Sequence, residues 1–138
     1  MKINGQVQAV IFDMVLDRLK ILLVKKLDVK NYSLRWRLLK GSIEENEDEQ
    51  HAMSREIFEE VGLSKIKIDK KINEYKFEYQ GTVNNVQTFA VSADSKQALK
   101  IQTSEIADAR WVGFEDAKKL LFWPNEKEAL ENFAKYYL

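Results

Sequence analysis

The sequence predicts an α+β domain with a mixed sheet: strands, one helix, more strands, then helices, without a regular βαβ alternation. Three observations carry that reading. The chain opens on two runs rich in β-branched and apolar residues. A strictly alternating segment lies past the middle. A lone proline, Pro124, stands ahead of a helical C-terminal stretch. The 138 residues match the usual size of one domain, so 1–138 is read as a single unit with enough chain to bury a core.

The elements follow in order. "VQAVIFDM" (7–14) reads as a largely buried strand and "KILLVKK" (20–26) as a second, with "VLDRL" as the hairpin turn between them. "KNYSLRWRLLKG" (30–41) mixes aromatics and cations, the composition of a loop that ends in a short strand. A helix is expected from about Asp48 to Val61, with Asn46 or Asp48 as N-cap and Gly62 as the residue that stops it. In "KINEYKFEYQ" (71–80), Ile72, Glu74, Lys76 and Glu78 alternate with Tyr75, Phe77 and Tyr79. "NVQTFAVSA" (85–93) is its expected antiparallel partner across the turn "GTVN". "DARWVGF" (108–114) is a short strand and "FEDAKKLL" starts a helix. Asn125 and Glu128 have the spacing of a capping box for a last helix after Pro124.

Composition removes several functions. Lys plus Arg equals Asp plus Glu at 22 each, so no global positive field recruits nucleic acid or a membrane surface. There is no cysteine, which excludes disulfides and thiolate metal sites and fits a reducing compartment. The N-terminus lacks the apolar core of a signal peptide, and no run of about 18 apolar residues spans a bilayer. The expectation is a soluble, cytoplasmic protein.

One segment breaks the even charge distribution. "GSIEENEDEQHAMSREIFEEVGL" (41–63) holds seven glutamates and an aspartate. On a helix, Glu56, Glu59 and Glu60 fall within an arc of roughly 100°, while Met53, Ile57 and Val61 form a separate packing face. Like charges at these spacings cost a few tenths of a kcal/mol per pair. Spacing alone is compatible with a solvated acidic face or with a face that holds a hard divalent cation.

The complete pattern adds a resemblance. Gly41, five residues, Glu47, seven residues and then Arg55-Glu56-Ile57-Phe58-Glu59-Glu60-Val61-Gly62-Leu63 matches the signature of the Nudix hydrolase family (MutT-like) position for position. With residue frequencies of a few per cent each, chance would give such a match on the order of once in ten million. The resemblance implies an α/β/α sandwich with a mixed sheet. It implies hydrolysis of a nucleoside diphosphate linked to another moiety, with Mg²⁺ or Mn²⁺ as cofactor. It also implies Glu56, Glu59, Glu60 and the Gly41 carbonyl as metal ligands, Arg55 as the group that orients Glu56, and Glu47 as support for the loop or the metal. For the general base it leaves Glu56 as first candidate and Glu105 as second.

Two places depart from common variants of this box. Leu39-Lys40-Gly41 replaces a proline-led entry, and Asn46 stands where many members have glycine; asparagine is the non-glycine residue most tolerant of positive φ. Lys40 and "ARWVGFEDAKKLLFWPNEKEALENF" (109–133) resemble the subgroup that cleaves diadenosine tetraphosphate, although Asn84 and Asn85 stand where that subgroup carries lysines. The alternatives are oxidised nucleoside triphosphates, RNA 5′ ends, ADP-ribose, and a module that binds a nucleotide without cleaving it. Arg35, Arg37 and Lys40 are candidate phosphate contacts, and Tyr75, Phe77 and Tyr79 the candidate nucleotide face. Burial in the core is the expectation for Tyr32, Trp36, Tyr75, Phe77, Tyr79, Phe122 and Trp123. His51 is expected to be exposed and without a role. Oligomeric state is not legible.

Overall fold

A computed structural model describes residues 2–28 and 32–138, so the start of the 30–41 segment lies outside the described residues. The elements are β1 (Lys2–Val15), β2 (Arg18–Asp28), β3 (Ser33–Arg37), β4 (Leu39–Ser42), α1 (Glu49–Val61), β5 (Ile66–Tyr79), β6 (Thr82–Ala93), β7 (Ile106–Gly113), α2 (Phe114–Leu120) and α3 (Pro124–Tyr137). The seven-stranded sheet runs β3-β2-β1-β6-β5, with β4 added to β1 and β7 to β2. The β1–β6 pair is parallel and the others are antiparallel, so the sheet is mixed.

Side-chain alternation builds two cores on this sheet. Val7, Ala9, Ile11, Leu22 and Val24 face α1 and pack on Ala52, Met53, Ile57 and Val61. Val10, Ile21 and Leu23 face the other way, onto Ala117, Leu121, Ala129, Leu130 and Phe133 of the last two helices and the residue after α2. Because both faces of β1 and β2 are covered, these strands read as continuous apolar runs. The α/β/α layering is the expected one. Among the described residues, no helix is long and apolar enough to cross a membrane, which says nothing of a β-barrel.

Several local expectations are corrected. Leu16 and Asp17, with φ of 51° and 62°, form a two-residue turn, and β2 starts at Arg18. The second hairpin turns on Gln80 and Gly81 (φ 49° and 77°), so Thr82 already belongs to β6. The alternation in β5 is interrupted between Lys71 and Asn73, where the register shifts. Ile72 therefore packs into the core with Val10 and Ala90. That is the side on which Tyr75 meets Gln8, so Ile72 and Tyr75 share a face instead of opposing each other.

The last helix starts on Pro124, with Trp123 as N-cap and no side-chain cap bond, so the Asn125–Glu128 capping box does not form. Proline at the first helical position lacks only an N–H that would have no intrahelical partner. Glu126 N–H and Lys127 N–H both donate to the Trp123 carbonyl, at 3.1 Å.

The C-terminus of α1 is tied to the loop before β7. Gly62 takes φ 76°, Lys100 N–H donates to Val61 O at 2.8 Å, and Gln102 Nε2 donates to Phe58 O at 2.6 Å. A Cβ at Gly62 would lie 2.9 Å from Lys100 Cβ. Gly62→Ala is therefore expected to cost about 1–2 kcal/mol from the left-handed conformation alone, measurable by urea denaturation.

β1 changes partner along its length. Ile11–Val15 pair with β2, whereas Gln6–Ala9 pair with β4. The sheet splits between Ala9 and Ile11, where β4 begins with Leu39, and the acidic segment leaves the other end of β4, opposite Gln6 and Val7.

Candidate active site

The acidic segment folds as the end of β4, a turn and α1. Asn46 has φ 64°, the left-handed conformation that glycine supplies in common variants. Of the two candidate caps, Asp48 takes the role: its side chain accepts the His51 N–H at 2.7 Å. His51 has an exposed ring whose Nδ1 lies 2.9 Å from Glu47 Oε2.

Arg55 is the hub of the segment. Its Nε and Nη2 donate to Glu47 Oε2 and Oε1 at 2.7 and 2.9 Å, a two-pronged clasp. Nη1 donates to Glu56 Oε1 at 2.9 Å and to Glu59 Oε2 at 3.3 Å, and Nη2 also to Ser42 O at 2.8 Å. The hydrogen bonds from Arg55 hold the Glu47 carboxyl down at about 2. The same bonds push the guanidinium well above its ordinary value. Glu47 is thus a permanent anion that orients Arg55, which in turn orients Glu56.

The Glu56 carboxylate lies against Gly41. A Cβ at Gly41 would fall 2.0 Å from Glu56 Cδ and 2.4 Å from its Oε1. Only glycine permits this approach. Gly41→Ala is expected to expel the Glu56 carboxylate and, if that carboxylate is needed for turnover, to lower kcat by about 100-fold with Tm nearly unchanged.

Glu60 sits deeper, only 6% exposed, and among the described residues its Oε2 has no hydrogen-bond partner. Burial, followed by the charges of Glu56, Glu105 and Glu59, lifts its carboxyl to about 7, against the pull of Lys26. Burial raises the Glu56 carboxyl as well. Glu59 points outward and is more than half exposed. Glu105 is exposed on the loop tied to the end of α1, near enough to act on Glu60. Gly41, Glu47, Arg55, Glu56, Glu59 and Glu60 thus converge, with Glu105 beside them. Among the described residues, no three acidic or histidine side chains are already gathered as a metal site. Arg55 bonds both Glu56 and Glu59.

At the split in the sheet lies a cavity of about 460 Å³. Lys40, Arg37, Tyr75, Phe77 and Tyr79 line it, together with Lys26, Trp123 and Glu126. Lys40 Nζ lies 4.7 Å from the Phe77 ring centroid, and burial depresses its ammonium to about 8. Arg37 Nε donates to Glu126 Oε2 at 2.6 Å, and Leu38 N–H donates to Glu126 Oε1 at 2.7 Å.

Other residues fall elsewhere. Arg35 stacks on Phe122 at 3.6 Å and pairs with Asp28, and it does not line the cavity. Asn84 is buried and accepts from Asn4 at 3.0 Å, held within the sheet. None of the seven aromatics expected in the core is fully buried; Tyr32, Tyr79 and Phe122 are exposed. Tyr32 precedes β3, Tyr79 ends β5 and lines the cavity, and Phe122 lies between α2 and α3 under Arg35.

Lys26 was not singled out from the sequence, yet it lines the cavity and acts on Glu60 and Glu56. Strand alternation from Leu22 and Val24, which face α1, was the available signal.

The NUDIX domain family model matches residues 6–133. The chain belongs to the Nudix family. The enzyme class expected from the box, a pyrophosphohydrolase, goes with that membership, as does dependence on a divalent metal in general. Comparison with proteins of curated function gave no match. Solved Nudix structures superpose closely. A C. elegans Ap4A hydrolase in a binary complex has a TM-score of 0.83 at 20% identity, covering 96% of each chain. The NUDIX domain of Shewanella oneidensis NrtR, complexed with ADP ribose, has a TM-score of 0.80 at 19% identity, covering 100% of this chain and 90% of that one. The E. coli dihydroneopterin triphosphate pyrophosphohydrolase has a TM-score of 0.74 at 18% identity, covering 96% and 95%. At these identities the similarity is one of fold.

Proposed function

We propose that this Nudix domain hydrolyses a pyrophosphate bond in a nucleoside diphosphate linked to another moiety, with dinucleoside polyphosphates such as diadenosine tetraphosphate as its best substrates. The observation that carries the reading is the buried Glu60 Oε2, without a hydrogen-bond partner among the described residues, near a Glu56 carboxylate pressed on Gly41, with Lys26 acting on both carboxylates and lining a cavity of cations and aromatics. A buried carboxylate oxygen without a partner is costly unless a cation completes it.

These donors fit a hard divalent ion, Mg²⁺ or Mn²⁺, held by Glu56, Glu60 and the Gly41 carbonyl, with Glu59 able to turn in from its exposed position and Glu47 in support. When bound, such an ion neutralises phosphate charge and acts as a Lewis acid at the phosphoryl group. The chain's own residues do the rest. Lys40, Arg37 and Lys26 contact the phosphates, and Phe77, Tyr79 and Trp123 offer ring faces to a base. Water attacks one phosphorus in line and a nucleoside phosphate leaves; Glu56 or Glu105 takes the water's proton. Arg55 keeps Glu56 aimed through its 2.9 Å bond.

The dinucleoside polyphosphate choice is supported by the aromatic residues in the cavity lining and by the close superposition on the C. elegans Ap4A hydrolase. The experiment is a Mg²⁺-dependent turnover panel with product analysis. ATP plus AMP from diadenosine tetraphosphate is the expected outcome. Cleavage of ADP-ribose, RNA 5′ ends or oxidised nucleotides alone overturns the substrate. Nucleotide binding with no product from any compound overturns the enzyme.

A further inference from the structure

Tyr75 reaches across the sheet to a polar chain buried in the middle of it. Gln8 on β1 and Thr88 on β6 are both fully buried, and they pair directly in the parallel ladder. Thr88 Oγ1 donates to Gln8 Oε1 at 2.9 Å, and Gln8 Nε2 donates to the Tyr75 hydroxyl at 3.2 Å. Polar side chains at the centre of a sheet are costly unless each is satisfied. Here two of them are spent on one tyrosine at the cavity wall. Among the described residues, Gln8 is the only hydrogen-bond partner of that hydroxyl.

The chain has a direction. Thr88 supplies a proton to the amide oxygen, so the amide nitrogen faces Tyr75 and fills an acceptor position on its oxygen. The phenolic O–H is then left to donate, and Tyr75 lines the cavity together with Lys40 and Arg37. Gln8 also pairs with Lys40 in the β1–β4 ladder, so the amide, the ammonium and the hydroxyl are set by neighbouring ladder positions. Burial, reinforced by the charge of Glu126, raises the phenol well above its ordinary value, so the proton is retained at any working pH.

We infer that Tyr75 is a specificity-determining hydrogen-bond donor, preset by the buried Gln8–Thr88 pair, which acts with Lys40 and Arg37 on the phosphate oxygens of the bound nucleotide. The three groups are two cations and one neutral donor, and none of them accepts. An acceptor-only, anionic group such as a phosphate meets all three, whereas a group that must donate finds no acceptor among them, and Glu126 in the same lining already accepts from Arg37 and the Leu38 N–H. Gln8 and Thr88 are positioning residues, since they touch the ligand only through Tyr75. This inference rests on the nucleotide-hydrolase reading above.

The test uses Tyr75→Phe, Thr88→Val and the double variant, each nearly isosteric and each checked by circular dichroism. Binding of adenosine tetraphosphate is measured calorimetrically in the presence of Ca²⁺, and KM and kcat on the preferred substrate with Mg²⁺. Tyr75→Phe is expected to weaken binding and raise KM about 5- to 20-fold, with kcat changed less than about threefold. Thr88→Val frees the Gln8 amide to turn over and accept from Tyr75, and is expected to give a similar rise in KM. The double variant is expected to be no weaker than Tyr75→Phe alone, because both changes remove one donor. Wild-type affinity in Tyr75→Phe overturns the donor, and losses that add in the double variant overturn its control by Thr88. A wild-type protein that binds no nucleotide overturns the hydrolase reading itself, and the inference with it.

Discussion

Glu60→Gln is expected to lower Mg²⁺-dependent hydrolysis by about 10²- to 10⁴-fold while making the metal-free protein more stable at pH 8. Both effects come from one feature. The Glu60 carboxyl is almost fully buried, has an unpartnered oxygen and sits among Glu56, Glu59 and Glu105, so its folded-state value is lifted to about 7 from an ordinary 4.5. Between those two values the folded protein binds more protons than the unfolded chain, so stability falls as pH rises across the interval. Above it the full cost is present, about 1–3 kcal/mol by order of magnitude. The amide removes the charge without changing the shape. A Tm increase of about 3–10 °C at pH 8, vanishing near pH 4, is the expected pattern in chelator-treated protein. A site kept at the expense of stability is characteristic of function.

Arg55→Ala has the second large effect. One guanidinium satisfies Glu47, Glu56 and Glu59 and also holds the Ser42 carbonyl. Its removal leaves Glu47, whose side chain is only 6% exposed, next to like charges and without its cation. Hydrolysis is expected to drop about 10- to 100-fold, the usual penalty for losing a group that orients metal ligands. The melting temperature is expected to fall by about 5–10 °C. Arg55→Lys restores charge but not the two-pronged clasp on Glu47, so it should recover Tm better than kcat. Equal recovery of both would show that charge alone suffices. Steady-state kinetics beside thermal melts separate the two outcomes.

The box was legible from sequence because its chemistry is local. One helix and the turn before it set the spacing of Gly41, Glu47, Arg55, Glu56 and Glu60, and Asn46 takes the positive φ that its residue type permits. The bond network was only partly legible: the Arg55–Glu56 contact was expected, but the clasp on Glu47 depends on how the turn folds back. Non-local features escaped. Lys26 reaches the site because β1 exchanges β2 for β4 and the sheet opens there, which no single strand encodes. Ile72 changed sides because a register shift in β5 inserts a residue into the alternation. Arg35, on β3 where a loop was expected, is drawn away by Phe122 and Asp28, partners outside its own strand. Four of the aromatics expected in the core, Tyr75, Phe77, Tyr79 and Trp123, line the cavity instead, because residue type alone does not separate a wall from a core, whereas Trp36 does pack, partly buried, against the core.

The central claim is that Glu60, with Glu56 and Gly41, holds a divalent cation. The most direct measurement is the melting temperature of chelator-treated wild type and Glu60→Gln as Mg²⁺ is titrated at pH 8. A ligand bound only by the folded state stabilises it by about 2.7 kcal/mol at a hundredfold excess over its Kd. The wild-type Tm should therefore climb by several degrees and saturate, while that of Glu60→Gln stays flat from its higher starting value. Equal shifts in the two proteins, or none in the wild type, would contradict it.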